Sequence, residues 1–348
     1  MFNCAIVGCG GIGKGHARAM KECRELRLVA GVDPCPEAAE AFAKEFGVPV
    51  LARLEEALAR SDIEFLDICT PSGLHGDIAI AAAGAGKHCI SEKPLDTTPQ
   101  RCDEILAAFR KARTTLGGVF QHRFADHVRK TREALDAGRF GRLTLITCST
   151  PWWRPQTYYD SGTWRGTWKL DGGGALMNQG IHAIDLALWF GGPVKRITAM
   201  TALLAHERIE VEDAAVAVCQ FASGAIGVIV ATTAAYPGGA VRHEVMGTDG
   251  MAVLDNDVLQ RWTLRDEEKT EAKPAAAAQV VQTSSPPHDL PTNLFTRNLD
   301  DIARAAREGH EPCVSGTEAR RAVEIVCAIY ESARTHKEVE LPLKEFHP

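Results

Sequence analysis

No run of about eighteen or more apolar residues occurs in the 348-residue chain, which excludes a membrane-spanning helix. None of the eleven cysteines, scattered from Cys4 to Cys327, forms a Cys-x-x-Cys pair of the kind that zinc sites and redox motifs use. Their odd number and scatter indicate reduced, mostly buried thiols. Cys4 and Cys9 fall in a strand and in a phosphate loop, which argues against a shared ion, so no metal site is expected. Positive charge is not in excess either: the formal net charge is -6, which leaves no electrostatic footprint for nucleic acid. No internal repeat is present. No basic leader precedes the strand-like Met1-Phe2-Asn3-Cys4-Ala5-Ile6-Val7, and the protein is expected in the cytoplasm, away from membranes.

The length is enough for two domains with separate cores. In the first third, strands alternate with helices. The apolar Asn3 to Val7 runs into Gly8-Cys9-Gly10-Gly11-Ile12-Gly13, then a helical Lys14 to Cys23, then a second apolar strand from Leu28 to Val32. Here Gly-x-Gly-x-x-Gly stands between a strand and a helix, where Gly8 permits a tight turn, Gly10 lets the backbone approach a pyrophosphate, and Gly13 allows close helix packing. The N–H groups that open the helix, from Gly11 and Ile12 onward, suit phosphate oxygens. Asp33 follows the last glycine by about twenty residues, where a carboxylate accepts from ribose hydroxyls and repels a 2′-phosphate. NAD is therefore expected over NADP. The alternative, that Asp33 only starts the turn Asp33-Pro34-Cys35-Pro36, predicts no cofactor discrimination.

Further along, Phe65 to Cys69 reads as a strand running into Thr70-Pro71-Ser72-Gly73-Leu74-His75, and Lys87 to Ser91 as a strand running into Glu92-Lys93-Pro94. In an open parallel sheet ligands gather beyond the carboxyl ends of the strands, so both segments should face the same cofactor. The expected cofactor-binding set is Gly8, Gly10, Gly11, Ile12, Gly13, Asp33, Thr70, Pro71, Ser72, His75, Glu92, Lys93 and Gln121. A lysine at that strand end can hold a positive charge beside a substrate oxygen as hydride leaves its carbon. Read in isolation, Lys93 would be a solvated surface lysine.

The alternation continues to about Phe120 and gives a doubly wound α/β Rossmann domain over 1–122. Beyond it, the segments Leu143 to Thr147, Ala214 to Phe221, Ala225 to Thr233, Val241 to Met246 and Met251 to Leu254 are joined by hairpin-type turns. This predicts an α+β domain over 123–348 with a mostly antiparallel open sheet. Glu267 to Pro287 reads as a surface excursion. Two helices, Asn293 to Glu308 and Gly316 to Thr335, close the chain, the second opened by the capping box Ser315-Gly316-Thr317-Glu318.

Asp171-Gly172-Gly173-Gly174 leads into a segment that reads as a helix from Ala175 to Phe190. It would place Asn178, His182 and Asp185 on one polar face lining a pocket. Arg123, Tyr158, Tyr159, Trp164 and Arg165 are candidate substrate contacts. Arginines beside aromatic rings suit a ligand with apolar sugar faces and a carboxylate or phosphate. The alternative is that Trp152, Trp153, Trp164 and Trp168 pack internally.

Gly8 to Gly13, Thr70 to His75, Glu92-Lys93-Pro94 and Gly172 to Asp185 together resemble the glucose-fructose oxidoreductase / inositol dehydrogenase / rhizopine-catabolism (Gfo/Idh/MocA) family. Trp164-Arg165-Gly166-Thr167-Trp168 with Asn178-Gln179 is similar to its nucleotide-sugar branch, which includes UDP-N-acetylglucosaminuronate 3-dehydrogenases. The resemblance implies a sugar, sugar acid, cyclitol or nucleotide-sugar substrate and a homodimer or homotetramer assembled through the C-terminal sheet. It also implies Lys93 as active-site lysine and His182 as acid/base. Asn178 departs from the pattern, because many members place an aspartate there. On the same fold, an NAD-retaining glycosidase and a non-catalytic dinucleotide-binding regulator are the alternative activities.

Overall fold

The computed structural model describes residues 1–267, 292–344 and 346. They form two compact units: Met1–Gln121 with the described part of Ser285–Arg321, and His122–Ser284 with Ala322–Pro348, again over the described residues. The surface excursion expected at Glu267 to Pro287 lies, beyond Glu267, outside the described residues.

In the first unit β1 (Phe2–Val7), α1 (Gly11–Met20), β2 (Leu26–Val32), α2 (Pro36–Phe46), β3 (Val50–Leu51), α3 (Leu54–Leu58), β4 (Phe65–Ile68), α4 (His75–Gly84), β5 (His88–Ser91), α5 (Pro99–Ala112) and β6 (Leu116–Gly118) follow one another. The strands make a six-stranded parallel sheet in the order β3-β2-β1-β4-β5-β6, the doubly wound arrangement. Thr98 caps α5 by accepting from the Arg101 N–H, and Pro99 occupies the first turn, where a missing N–H costs nothing. The order reverses between β1 and β4, so the loops after those strands border the crevice at the switch point.

The second unit holds α6 (Asp126–Asp136), β7 (Leu143–Pro151), α7 (Gln156–Asp160), a π-helical turn (Ala175–Gly180), α8 (Ile181–Gly191), β8 (Val194–Ala202), β9 (Ala214–Phe221), β10 (Ile226–Thr232), β11 (Arg242–Gly247), β12 (Gly250–Asp255) and β13 (Val258–Leu264). Then come α9 (Thr292–Glu308), α10 (Gly316–Thr335) and β14 (Val339–Glu340). The eight strands run in the order β13-β12-β11-β7-β10-β9-β8-β14 and pair antiparallel except for β7 with β10. Ser315 accepts from the Glu318 N–H at the head of α10.

Two features differ from the sequence reading. The C-terminal part is not one uninterrupted unit, because α9 packs Phe295, Leu299, Ile302 and Ala303 into the core of the first unit beside Cys4, Ile6, Ala17, Met20 and Phe42. An amphipathic helix goes where its apolar face is covered, and periodicity alone does not say which core that is. The expected continuous α-helix from Ala175 is instead a π-helical turn followed by α8, and the wider turn alters the phase between Asn178 and the residues after it.

Candidate active site

The loop after β1 is built for close approach. Gly8 has φ +99°, and a Cβ there would meet the Cys69 carbonyl oxygen at 2.7 Å; one at Gly13 would meet the Gly8 oxygen at 2.0 Å. Gly10 is exposed, with nothing within 4 Å of an added Cβ. No side chain caps the N-terminus of α1 and no acidic residue lies in its first turn. Donors of this kind, beside open space, fit a dinucleotide pyrophosphate. Asp33 uses one carboxylate oxygen to accept from the Cys9 N–H at 2.8 Å and the other to accept from the Cys35 N–H at 2.9 Å. It thus braces the glycine loop as well as starting its own turn.

Beyond β4, Thr70 keeps a buried hydroxyl with no hydrogen-bond partner among the described residues, and Ser72 is buried. Pro71 precedes the single helical turn Ser72–Leu74. His75 is buried and engaged by main chain, its ring nitrogens 2.8 Å from the carbonyl oxygens of Thr70 and Pro94. It ties the loops after β4 and β5 together. Gln121 is buried, Lys93 is half-buried, and the Lys93–Pro94 peptide is cis.

Behind Lys93 lies a buried chain that the sequence reading missed. His16 of α1 sits 2.9 Å from Asp67 at Nδ1 and 2.9 Å from Glu92 at Nε2, and the other Glu92 oxygen accepts from the Lys93 N–H at 3.0 Å. Burial opposes charge on His16, but Asp67 and Cys69 beside it outweigh that and leave its pKa well above the ordinary imidazole range. Burial likewise opposes ionisation of Glu92, yet His16 and Lys93 bring its pKa below the usual carboxylate value. The signal available was a histidine three residues beyond Gly13 on the buried side of α1.

In the second unit, the expected polar face divides. Asp185 is fully buried and takes a bidentate pair from Arg123, Nε to Oδ2 at 2.8 Å and Nη2 to Oδ1 at 2.6 Å, while the guanidinium lies over Trp189. These two candidates satisfy each other instead of presenting their charges to a pocket. Tyr159 is also internal, its hydroxyl 2.8 Å from that of Thr233. Asn178 and His182 remain half-buried. The Asn178 amide donates to Asp171, and the His182 ring lies edge-on to that of His122, 5.0 Å between centroids.

Glu212 holds the segment that carries them. Its carboxylate accepts from the N–H groups of Gly174 at 3.0 Å and Leu176 at 2.8 Å, and its backbone oxygen accepts from that of Ala175 at 3.1 Å. Three consecutive donors at the head of the π-helical turn are thus met by one residue. Burial pushes the Glu212 carboxyl up to about 7, against the N–H groups and the Tyr330 hydroxyl that favour the carboxylate. The sequence gives no local sign of this contact.

Beside Asn178, Gln179 donates to the Tyr158 hydroxyl at 3.0 Å and accepts from Arg154 at 3.2 Å. The Arg154 and Arg165 guanidinium carbons lie 4.8 and 4.7 Å from the centre of the Tyr158 ring, and Arg165 also lies 4.5 Å from that of Trp164. Among the described residues Arg165 makes no ion pair, and its Nε is buried without a hydrogen-bond partner. Trp168 and Trp153, by contrast, pack edge-on against Tyr330 and Tyr236.

Residues 2–119 match the profile of the oxidoreductase family with an NAD-binding Rossmann fold, and residues 128–253 match the GFO/IDH/MocA C-terminal domain. The chain is 28% identical to inositol 2-dehydrogenase of Rhizobium meliloti, over 97% of this chain and 98% of that protein. It is 27% identical to the NAD(+) scyllo-inositol 2-dehydrogenase of Bacillus subtilis, over 98% and 96%. The crystal structure of the WlbA dehydrogenase from Bordetella pertussis, in complex with NADH and UDP-GlcNAcA, superimposes with a TM-score of 0.87 at 33% identity, covering 99% of each chain.

Proposed function

The chain belongs to the Gfo/Idh/MocA family of NAD-binding oxidoreductases, and from that premise we propose that it oxidises a secondary hydroxyl of a sugar-type substrate, with Lys93 and His182 as the reacting side chains. The observation that carries the reading is Lys93 at the carboxyl end of β5, next in the sheet to β4 at the switch point, in a chain whose glycine loop fits a pyrophosphate. The relatives' activities support the substrate class.

His182 accepts the hydroxyl proton while the Lys93 ammonium offsets the charge developing on the oxygen, so that the C–H and O–H bonds break as C=O forms. The Gly8–Gly13 loop and Asp33 would hold NAD, which would supply the hydride acceptor, nicotinamide C4. The proton passes from His182 to solvent. Asn178 orients a neighbouring hydroxyl. Glu92, clamped by His16, holds the backbone of Lys93 in place, and Asp33 receives the adenosine ribose.

The guanidinium of Arg165, without a counter-charge among the described residues, selects substrates that carry a carboxylate or phosphate. The exposed Met200, Val216, Val218 and Ile226 share one face of the second sheet by register and cover that face through a second copy of the chain. Light scattering that finds only monomer at micromolar concentration counts against this assembly.

Uronates, hexoses, inositols and UDP-sugars should be screened for NADH formation matched to ketone product. His182→Ala should lose about two to four powers of ten in turnover while still binding NAD, and Lys93→Met a comparable amount. Full turnover in either variant removes that residue from the reaction, and sugar release without accumulation of NADH points to the glycosidase.

A further inference from the structure

His122 was not among the sequence candidates. It sits on the short helical turn Gln121–Phe124, with its ring against His182 at 5.0 Å and an interplanar angle of 70°, and its Nδ1 is paired with Asp257. Asp257 reaches it from the tight turn between β12 and β13. There both Asn256 and Asp257 adopt left-handed backbone, at φ +46° and +67°. The turn is pinned to the start of β11, because the Val241 N–H donates to Asn256 Oδ1 at 2.9 Å and the Asn256 N–H donates to the Val241 oxygen at 2.8 Å. After glycine, asparagine and aspartate adopt left-handed backbone most readily, as the two central positions of a two-residue hairpin require.

We propose that His122, held by Asp257, is a positioning residue that sets the proton affinity of His182, keeping that imidazole neutral and able to accept a proton near neutral pH. The inference rests on the reading of His182 as the base. A like charge beside an imidazole disfavours its protonation, and a neutral histidine is the form that oxidation of an alcohol requires. The groups around His122 are Asp257 on the β12–β13 turn, His182 and the Arg123-paired Asp185 on α8, Arg123 on its own turn, and His243 on β11. Burial opposes charge on His122, but Asp257 and, more weakly, Asp185 raise its pKa above the ordinary imidazole value. His243 is itself neutral: burial lowers its pKa to about 4, and its Nε2–H points to the Ala183 oxygen at 3.2 Å. Of the two neighbouring rings, His122 and His243, it is therefore His122 that carries charge.

The test is a histidine-selective NMR titration of the full chain without substrate, in which His182→Ala identifies the His182 resonance. His122→Gln keeps a donor for Asp257 but removes the charge, and should raise the His182 midpoint by about half a pH unit or more. The acid limb of kcat/KM for oxidation should move with it. Asp257→Asn, a second variant that leaves His122 in place, should lower the His122 midpoint. An unmoved His182 midpoint in folded His122→Gln, or an unmoved His122 midpoint in Asp257→Asn, overturns the coupling. Full turnover by His182→Ala overturns instead the base assignment on which it rests.

Discussion

The side-chain amide of Asn178 donates to the carboxylate of Asp171 at 2.6 Å. The other Asp171 oxygen accepts from the Gly166 N–H at 2.9 Å, and the residue is fully buried. A negative charge is therefore present beside position 178, although the residue there is an amide. Asn178→Asp would place a second, half-buried carboxylate against the buried Asp171, where like charges in contact do not both ionise readily and one pKa rises. A carboxyl whose folded pKa exceeds its unfolded value adds no penalty below the unfolded value; the penalty grows as pH rises above that value and levels off beyond the folded one. The variant should match wild-type stability near pH 4 and fall about 2 kcal/mol or more behind at pH 8, as read by denaturant unfolding. A gap independent of pH would mean that the two groups do not share a site.

Glu212 makes the opposite kind of prediction. Its carboxyl stands at about 7 in the fold against an ordinary value of 4.5, so its ionisation weakens the fold progressively as pH rises from about 4.5 through 7. That rise corresponds to about 3 kcal/mol by pH 8, of which the Gln variant is free. Glu212→Gln, however, turns an amide N–H toward one of the two donors, Gly174 or Leu176, which costs about 1–3 kcal/mol at any pH. The variant should be less stable than wild type at pH 5 and close to it or above it at pH 8. Calorimetric unfolding at the two pH values checks the crossover; parallel curves would place Glu212 outside this titration. Turnover should fall in both conditions, because the head of the segment bearing Asn178 and His182 loses its cap.

The buried His16 pair is sensitive in another way. Asp67 and Glu92 are both buried, and removing the imidazolium between them takes away the positive charge they share and leaves Glu92 with Lys93 alone. His16→Gln should cost about 3–5 kcal/mol at neutral pH, the range for breaking a buried pair. For His16, the stabilisation is fully present below its unfolded pKa near 6.5 and is lost only as pH rises through the much higher folded value. Glu92 adds stability above its unfolded value and loses it as pH falls through a depressed one. The variant's deficit should therefore shrink in acid, where Glu92 takes up a proton, and a deficit unchanged between pH 4 and pH 7 would argue against charge as the cause.

What the sequence reveals and what it conceals follow from the range of the interactions. The alternation of strands and helices, the glycine loop and the place of Lys93 just past a strand are legible because glycine, apolar runs and proline act locally. The antiparallel sheet is legible from alternation and turn residues. The partners of the site residues are not, because His16 with Glu92, Glu212 with Gly174 and His122 with Asp257 join side chains far apart in the chain, on different elements. Arg123 and Asp185 show the same effect: each looks like a ligand contact alone, and only the fold shows that they neutralise each other. The π-helical turn is invisible to an i, i+4 count.

Arg165 tests whether the substrate is acidic. A guanidinium resting on Trp164 and Tyr158, without an ion pair among the described residues and near the second guanidinium of Arg154, leaves positive charge that an anion would offset. Burial lowers the Arg154 pKa, and Arg165 lowers it further, so the two cations repel until such a ligand arrives. Charge-assisted hydrogen bonds are worth about 1.5–3 kcal/mol, which puts the expected rise in KM for a uronate or nucleotide sugar with Arg165→Ala at about ten- to a hundredfold. Neutral hexoses and inositols should show little change in KM. Arg165→Lys keeps the charge without the planar fork and should recover only part of the loss. If every acidic sugar retains its wild-type KM in Arg165→Ala, the stack serves packing alone and the substrate is neutral.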